Sequence, residues 1–180
     1  MRVKAIKELR DKYDPRRRGL KIRILFIGES PPPEAPQIFF YNRTSILYYA
    51  TFLAFHKVFG VREDSFLEFF RDLGCYLYDL FEEPGKIIQG KEGEGRVRAS
   101  RDEVEKAKRE LEKFIQDVRP EIVIVVIKRV SRRIKRLLER LKVQGVIRDY
   151  FDLPFPRGAN NFIDYVDGLY SSLIKYFKLS

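Results

Sequence analysis

The 180-residue sequence has few of the residue types that form covalent cross-links or bind metals. Its one cysteine, Cys75, excludes a disulfide framework and any cysteine-based zinc or iron–sulfur site within one chain. Its one histidine, His56, falls in the apolar, helix-like run 46–59 and is predicted to be structural. No apolar run approaches the ~20 residues that span a bilayer. We therefore expect no metal, no cofactor and no membrane partner.

The charge balance is the strongest compositional signal that remains. Lysine and arginine together number 36, and aspartate and glutamate 26, which gives a net charge of +10. Such a charge favours polyanionic partners such as nucleic acid, and a surface rich in Lys, Arg and Glu is also typical of thermostable proteins. Residues 1–4 open a charged amphipathic stretch and lack the apolar core of a signal peptide. We expect a cytoplasmic, monomeric protein with one domain over residues 1–180.

Hydrophobic periodicity predicts an alternation of strands and helices along the chain. The clearest strand is the unbroken β-branched run 122–127, which is typical of a parallel strand covered on both faces. Ser100 and Glu103 match a capping box at the start of a helix that Pro120 ends. By contrast, 82–99 is rich in Gly, Lys and Glu and is predicted to be a mobile loop. The predicted strands are 22–27, 75–80, 122–127 and 146–151; the predicted helices are 3–13, one from Thr44 or Ser45 to 59, one from Asp64 or Ser65 to 73, 100–119, 130–141 and 162–177.

This order of elements predicts a three-layer α/β/α domain around four mostly parallel strands. In such sheets ligands bind at the carboxyl ends of the strands. Two predicted strands end in proline-rich loops, namely 28–33 (Gly-Glu-Ser-Pro-Pro-Pro) and 153–161 (Leu-Pro-Phe-Pro-Arg-Gly-Ala-Asn-Asn). The aromatic run 39–41 follows the first loop. We therefore expect a site at one edge of the sheet, with a carboxylate, aromatic rings, an arginine and amides.

These loops resemble motifs of the uracil-DNA glycosylase superfamily. That family has a small parallel four-stranded sheet, a Gly-x-x-Pro loop after the first strand and a His-Pro-Ser-Pro-type loop after the last. Residues 28–31 (Gly-Glu-Ser-Pro) are similar to the Gly-Glu-Ala-Pro-Gly version of the iron–sulfur branch, and 153–156 (Leu-Pro-Phe-Pro) align with the last motif. The resemblance implies a uracil-DNA glycosylase-like fold and the hydrolytic excision of a damaged or deaminated base in DNA repair.

The resemblance also implies roles for individual residues. Glu29 would position or deprotonate a water or stabilise a cationic sugar, and Arg157 would act beside it as a catalytic donor. An aromatic residue of the run 39–41, for which we choose Phe40, would stack on the extruded base. Ordinary core packing for the aromatics and backbone capping for Glu29 are the alternative interpretations. The implied base-binding residues are Gly28, Pro31, Phe40 and Asp79, and the implied DNA-binding residues are Pro154, Arg157, Gly158, Asn160, Asn161 and Lys128.

Two departures from the family pattern bear on the chemistry. Leu153 replaces the histidine of the last motif, so the usual donor to the departing base is missing, and Arg157, an amide or a backbone N–H would have to replace it. Asp79 stands where an asparagine usually reads uracil. An ionised carboxylate only accepts hydrogen bonds, so we expect a base with an exocyclic amine rather than uracil, unless Asp79 is buried and protonated. Capping of the following turn is the alternative role of Asp79.

The basic residues near the third strand give a further indication of the partner. Lys128 and Arg129 are predicted to end that strand, and the next helix carries five more cations, which are Arg132, Arg133, Lys135, Arg136 and Arg140. These charges either hold phosphates or form a solvated helix face. The expected partner is DNA, with a single strand as one form it can take.

Two other functions compete with base excision. The first is a non-catalytic nucleic-acid-binding module on the same fold, which the replacement at Leu153 favours. The second is a small-nucleotide-binding α/β protein. The loop 28–33 argues against that second function, because it lacks the Gly-Lys-Ser/Thr ending of a phosphate-binding loop and is not a Gly-x-Gly-x-x-Gly fingerprint.

Overall fold

The apolar segments predicted as strands pair into one sheet in the computed structural model, which describes residues 1–179. The strands are β1 (Ile24–Gly28), β2 (Cys75–Asp79), β3 (Lys86–Ile87), β4 (Val97–Arg98), β5 (Ile122–Val125) and β6 (Asp149–Asp152). The main sheet has the order β2-β1-β5-β6, and all its pairings are parallel. Every residue of β1 and β5 is buried, as the β-branched pattern predicts for central parallel strands.

Helices cover both faces of this sheet. Within residues 1–179 the α-helices are α1 (Arg2–Lys12), α2 (Ile46–Phe59), α3 (Phe66–Asp72), α4 (Arg101–Val118), α5 (Lys128–Val143) and α6 (Ala159–Phe177). Phe26 of β1 packs on Phe70 of α3, and Tyr78 of β2 packs on Phe114 of α4. Phe26 is in register with Leu77, the neighbour of Tyr78, so the two ring pairs lie on opposite faces. The three-layer α/β/α prediction is confirmed.

The helix starts follow the capping residues in the sequence. Ser45, not Thr44, caps α2, because its hydroxyl accepts a hydrogen bond from the Tyr48 amide at 3.1 Å. The capping box of α4 is confirmed, since Ser100 and Glu103 exchange both bonds. The third helix is preceded by a short 3-10 turn, and its N-cap Ser65 does not cap it, because its hydroxyl bonds back to the Arg62 carbonyl instead. No helix formed by residues 1–179 is both long and apolar enough to cross a membrane.

Several predicted boundaries were wrong, and two of them move site residues. Lys128 and Arg129 do not end the third strand but form the first turn of α5, because β5 stops at Val125. Likewise, Asn160 and Asn161 lie in the first turn of α6 instead of a loop. The fourth strand begins at Asp149 rather than 146, because the Val146 amide bonds to the Leu141 carbonyl and closes the end of α5.

The segment 82–99 is not the mobile loop that its composition predicts. It forms β3 and β4, which pair in parallel, and it buries Ile87 and Ile88. The Gly85 amide donates to the Pro31 carbonyl at 2.8 Å, so the segment is tied to the first proline-rich loop. Gly85 has a φ of +77°, and any side chain there would collide with the backbone of Gly95. The glycines that suggested mobility instead permit a close approach of two backbones.

Candidate functional site

A cleft of about 610 Å³ lies at the carboxyl ends of the parallel strands. This volume is within the range of ligand sites, about 300–1,000 Å³. The walls come from seven segments of the chain, and we call the space between them the cleft. They are 28–33 after β1, 39–40, parts of 45–47 at the start of α2, parts of 77–79 in β2, parts of 85–96, parts of 126–132 around the start of α5, and parts of 154–161 after β6.

The predicted residues divide into those that reach the cleft and those that do not. Gly28, Glu29, Pro31, Phe40, Asp79, Lys128, Pro154, Arg157 and Asn161 line it. Asn160 and Gly158 do not line it. Asn160 is exposed on α6, and Gly158 is exposed just before that helix, with a φ of +84°. The parallel topology explains why the two motif loops meet, because both follow carboxyl ends at the same edge of the sheet.

Glu29 is buried, at 7% exposure, and both of its carboxylate oxygens are engaged. Oε1 accepts a bond from Arg129 Nε at 2.8 Å and another from the Ile88 amide at 2.9 Å. Oε2 accepts from the Arg129 guanidinium as well, which makes the ion pair bidentate. The carboxylate is therefore held in one orientation at the mouth of β1.

Arg129 and Ile88 are partners that the sequence did not indicate. Arg129 is separated from Glu29 by 100 positions, and the sequence pattern predicts it at the end of a strand. The Arg129 side chain reaches Glu29 because Arg129 lies in the first turn of α5, which begins beside the carboxyl end of β1. The Ile88 amide reaches Glu29 because the segment 82–99 folds over the loop 28–33.

Asp79 forms a second buried ion pair, with Arg10 of α1. The Asp79 side chain is 6% exposed and that of Arg10 is 13% exposed. Burial raises the pKa of Asp79 above its usual value, and the charge of Arg10 opposes that rise. Arg10 needs a negative partner at this depth, because an unpaired buried charge costs several kcal/mol. The pair therefore holds Asp79 as a carboxylate with one oxygen, Oδ2, already occupied by Arg10.

Gly28 allows this carboxylate to stand at the cleft. Gly28 of β1 is in register with Asp79 of β2. A Cβ at position 28 would overlap Asp79 Oδ1, so any other residue would displace the carboxyl group. Close packing against Asp79, and not the geometry of a turn, therefore requires a glycine at position 28.

Phe39 and Phe40 form the aromatic part of the cleft wall. Both are buried, and Phe40 keeps the larger exposed fraction, 3% against 1%. Phe40 is held edge-on by Tyr41 and Tyr48 and contacts Phe70 below. Tyr41 itself does not line the cleft. Its hydroxyl accepts a hydrogen bond from the Leu77 amide at 2.7 Å, so the Tyr41 side chain covers the edge of β2. Phe40 packs in the core, as the alternative interpretation predicts, and the same ring borders the cleft, where stacking on a base stays a prediction.

Leu153, the first residue of the second proline-rich loop, packs in the core. Its side chain is 4% exposed and lies against Gly168 of α6, where a Cβ would clash. Its amide donates to the Val125 carbonyl at 2.8 Å, so the chain is fixed just as it enters the loop. The apolar side chain of Leu153 offers no hydrogen-bond donor to the cleft, while Arg157 lines the cleft as an exposed side chain two residues beyond Phe155.

Positive charge surrounds the cleft. Its lining cations are Lys91, Arg96, Lys128, Arg129, Arg132 and Arg157. Three of them are paired: Lys128 with Asp152, Arg129 with Glu29 and Arg96 with Glu94. Within residues 1–179 the other three have no carboxylate within 4 Å, and these are Lys91, Arg132 and Arg157. An anionic ligand would meet these three charges first.

The remaining candidate nucleophiles and ligands lie away from the cleft. Cys75 is buried in β2, and burial raises the pKa of its thiol. His56 lies exposed in the last turn of α2, where Nδ1 is 3.0 Å from the Val61 carbonyl oxygen. In the part of the chain that the structure describes, no three His, Cys, Asp or Glu side chains come together as a metal site.

The comparisons with known proteins leave the cleft to be interpreted from its own chemistry. No protein family model matches this sequence, and no curated protein matches it either.

Proposed function

We propose that the cleft binds a single base extruded from DNA and that the protein hydrolyses its N-glycosidic bond, as the resemblance to the uracil-DNA glycosylase superfamily implies. The observation that supports this most is the convergence of three motif positions in one cleft. Residues 28–31, residues 154, 155 and 157, and Asp79 come from three different strand ends and line the same space. The four-stranded parallel sheet agrees with that resemblance.

The cleft offers what an extruded base needs. Leaving the stack costs roughly a few kcal/mol, and stacking on an aromatic ring returns about 1–3 kcal/mol. Phe39 and Phe40 supply the rings, and the ionised Asp79 supplies a hydrogen-bond acceptor beside them. Because Arg10 holds Asp79 ionised, the expected substrate is a base with an exocyclic amine rather than uracil.

Glu29 and Arg157 are the proposed catalytic residues. Hydrolysis builds positive charge on the sugar and negative charge on the departing base. A carboxylate has about four lone-pair sites, so Glu29 Oε2 can accept a bond from a water in addition to that from Arg129. Glu29 would orient that water and stabilise the sugar cation, and Arg157 would donate to the base.

A nucleic-acid-binding module without catalysis is the second candidate. Two observations favour it, namely the burial of Leu153 in place of a donor and the bidentate hold of Arg129 on Glu29. Both reduce the chemical groups that are free in the cleft, while the aromatic wall and the basic rim are unaffected.

Excision assays separate these candidates. Labelled single- and double-stranded oligonucleotides carrying uracil, cytosine, hypoxanthine, xanthine or oxidised bases would be incubated with the protein and then with alkali, which cleaves abasic sites. Glu29→Gln should lower cleavage by about 10²–10⁴-fold, and the exposed Glu34→Gln just after the same loop should not. Cleavage that is lost to this extent only in Glu29→Gln supports a glycosylase. If no substrate is cleaved but salt-sensitive binding is retained, the result supports the non-catalytic module instead of the glycosylase.

A further inference from the structure

The two most charged helices of the molecule differ in how their charges are arranged. Helix α4 carries five cations and six carboxylates, and α5 carries eight cations and only Glu139. Helix α4 also pairs its charges internally, with Lys106 on Glu110 and Lys108 on Glu105. A surface helix that is charged for stability is expected to look like α4. Helix α5 needs another explanation.

The charges of α5 oppose the helix dipole. The N-terminus of a helix carries a partial positive charge, so acidic residues stabilise the first turn and cations destabilise it by about 0.3–1 kcal/mol each. Helix α4 begins with Asp102 and Glu103, whereas α5 begins with Lys128 and Arg129 and has no acid in its first turn. This arrangement costs stability and points to a function for the cations.

The positions of the cations define one outer face. The buried stripe of α5 consists of Val130, Ile134, Leu137, Leu138 and Leu141, so the core contact does not use the charged residues. Arg132, Arg133 and Arg136 are exposed, and among residues 1–179 none has a carboxylate within 4 Å. Arg132 also lines the cleft, so the face begins there and leads away from it.

We propose that Arg132, Arg133 and Arg136 on the outer face of α5 bind the sugar–phosphate backbone of the nucleic acid strand that continues from the cleft. That this strand starts at the cleft is an assumption that rests on the proposed function. The face runs from Arg132 to Arg136, which at 1.5 Å per residue is about 6 Å along the helix axis. A DNA strand in a duplex advances about 3.4 Å per nucleotide, so this length corresponds to about two nucleotides.

A matched pair of triple variants tests the proposal. Arg132→Gln/Arg133→Gln/Arg136→Gln removes the outer-face charges, and Lys106→Gln/Arg109→Gln/Lys113→Gln removes three exposed charges from α4. Affinity for a labelled oligonucleotide without any damaged base is measured by fluorescence anisotropy at several salt concentrations. Counterion release predicts a loss of about ten- to a hundredfold for the α5 variant at 0.15 M salt, with the salt slope reduced by about 2 for a single strand. The α4 variant should bind nearly as well as the wild type.

Three results would overturn the proposal. An unchanged affinity of the α5 variant excludes a backbone contact there. An equal loss in both triple variants shows that only the net charge matters. Competition by poly-glutamate that is as effective per charge as DNA would indicate an acidic protein as the partner. Because the oligonucleotide carries no substrate base, these outcomes do not depend on excision, and failure of the excision assay leaves this test intact.

Discussion

Two cavities of nearly equal volume adjoin Asp79. The cleft measures about 610 Å³, and a second cavity of about 640 Å³ lies between α1, the end of β2 and α4. They differ mainly in charge. Six cations and two carboxylates line the cleft, whereas five cations and six carboxylates line the second cavity.

The comparison shows that size alone does not mark a binding site in this protein. The charges of the second cavity largely satisfy one another, as Lys86 does with Glu103 at 2.7 Å and Glu83 at 3.2 Å. The two carboxylates of the cleft are each neutralised by an arginine, which leaves its rim positive. Aromatic rings line both cavities, but within residues 1–179 the cleft combines them with three cations that have no carboxylate within 4 Å, against one, Lys7, in the second cavity. Aromatic rings together with unpaired cations are the combination that a nucleotide requires.

The largest expected effect is on catalysis in the cleft. Glu29→Gln removes the negative charge that orients water, and it should lower the excision rate by about 10²–10⁴-fold. Oligonucleotide affinity should stay near the wild-type value, because the rim cations remain. Single-turnover excision and anisotropy measured on the same protein check both parts. Equal excision rates for Glu29→Gln and wild type would remove Glu29 from the mechanism.

Asp79, which borders both cavities, is the subject of the second prediction. Asp79→Asn leaves Arg10 buried without its counter-charge, and it should lower the free energy of unfolding by about 3–5 kcal/mol. Replacing both partners, as Arg10→Met/Asp79→Leu, should recover most of that loss. Chemical denaturation measures each variant. If the double variant is as unstable as Asp79→Asn, the loss does not come from an orphaned charge.

The aromatic rings that line the two cavities give the third prediction. Phe40→Leu keeps an apolar side chain in the cleft wall but removes the stacking ring, which should weaken binding of an oligonucleotide with an extruded base by about 1–3 kcal/mol. Phe114→Leu makes the same change in the second cavity and serves as the matched control. Titration with an oligonucleotide that contains an unpaired base compares them. Equal weakening by both variants would contradict a role for the cleft wall.

The smallest expected effect belongs to the second cavity and concerns only stability. Hydrogen bonds from Lys86 and from the Ser100 backbone lower the pKa of Glu103 from 4.5 to about 2. A carboxylate with a lowered pKa stabilises the fold above its unfolded pKa, and this stabilisation is lost as the pH falls from about 4.5 towards 2. Glu103→Gln should therefore flatten the pH dependence of the thermal midpoint in that range, without changing nucleic acid affinity. An unchanged pH profile would exclude the contribution.

Much of the fold was predictable because its signals are local. The β-branched run of β5, the Ser100 capping box and the apolar stripe of α5 each depend on neighbouring residues. The strand ends then located the cleft, since parallel strands carry their loops at one edge.

The partners of the two buried carboxylates were not predictable in the same way. Arg10 and Asp79 are 69 positions apart, and Arg129 and Glu29 are 100 positions apart. The amphipathic pattern of a helix shows which face packs inward but not which strand end it reaches. The segment 82–99 was misjudged for a related reason, because its glycines serve close backbone contacts that composition does not show.

The most direct test of the account is to locate the bound nucleic acid by NMR. Backbone amide shifts would be followed during titration with a short oligonucleotide that contains an unpaired base. The account predicts that the perturbed amides cluster at 28–30, 89–91, 128–132 and 157–161, which border the cleft. Perturbations concentrated instead at 3–11 and 103–114, around the second cavity, would contradict it.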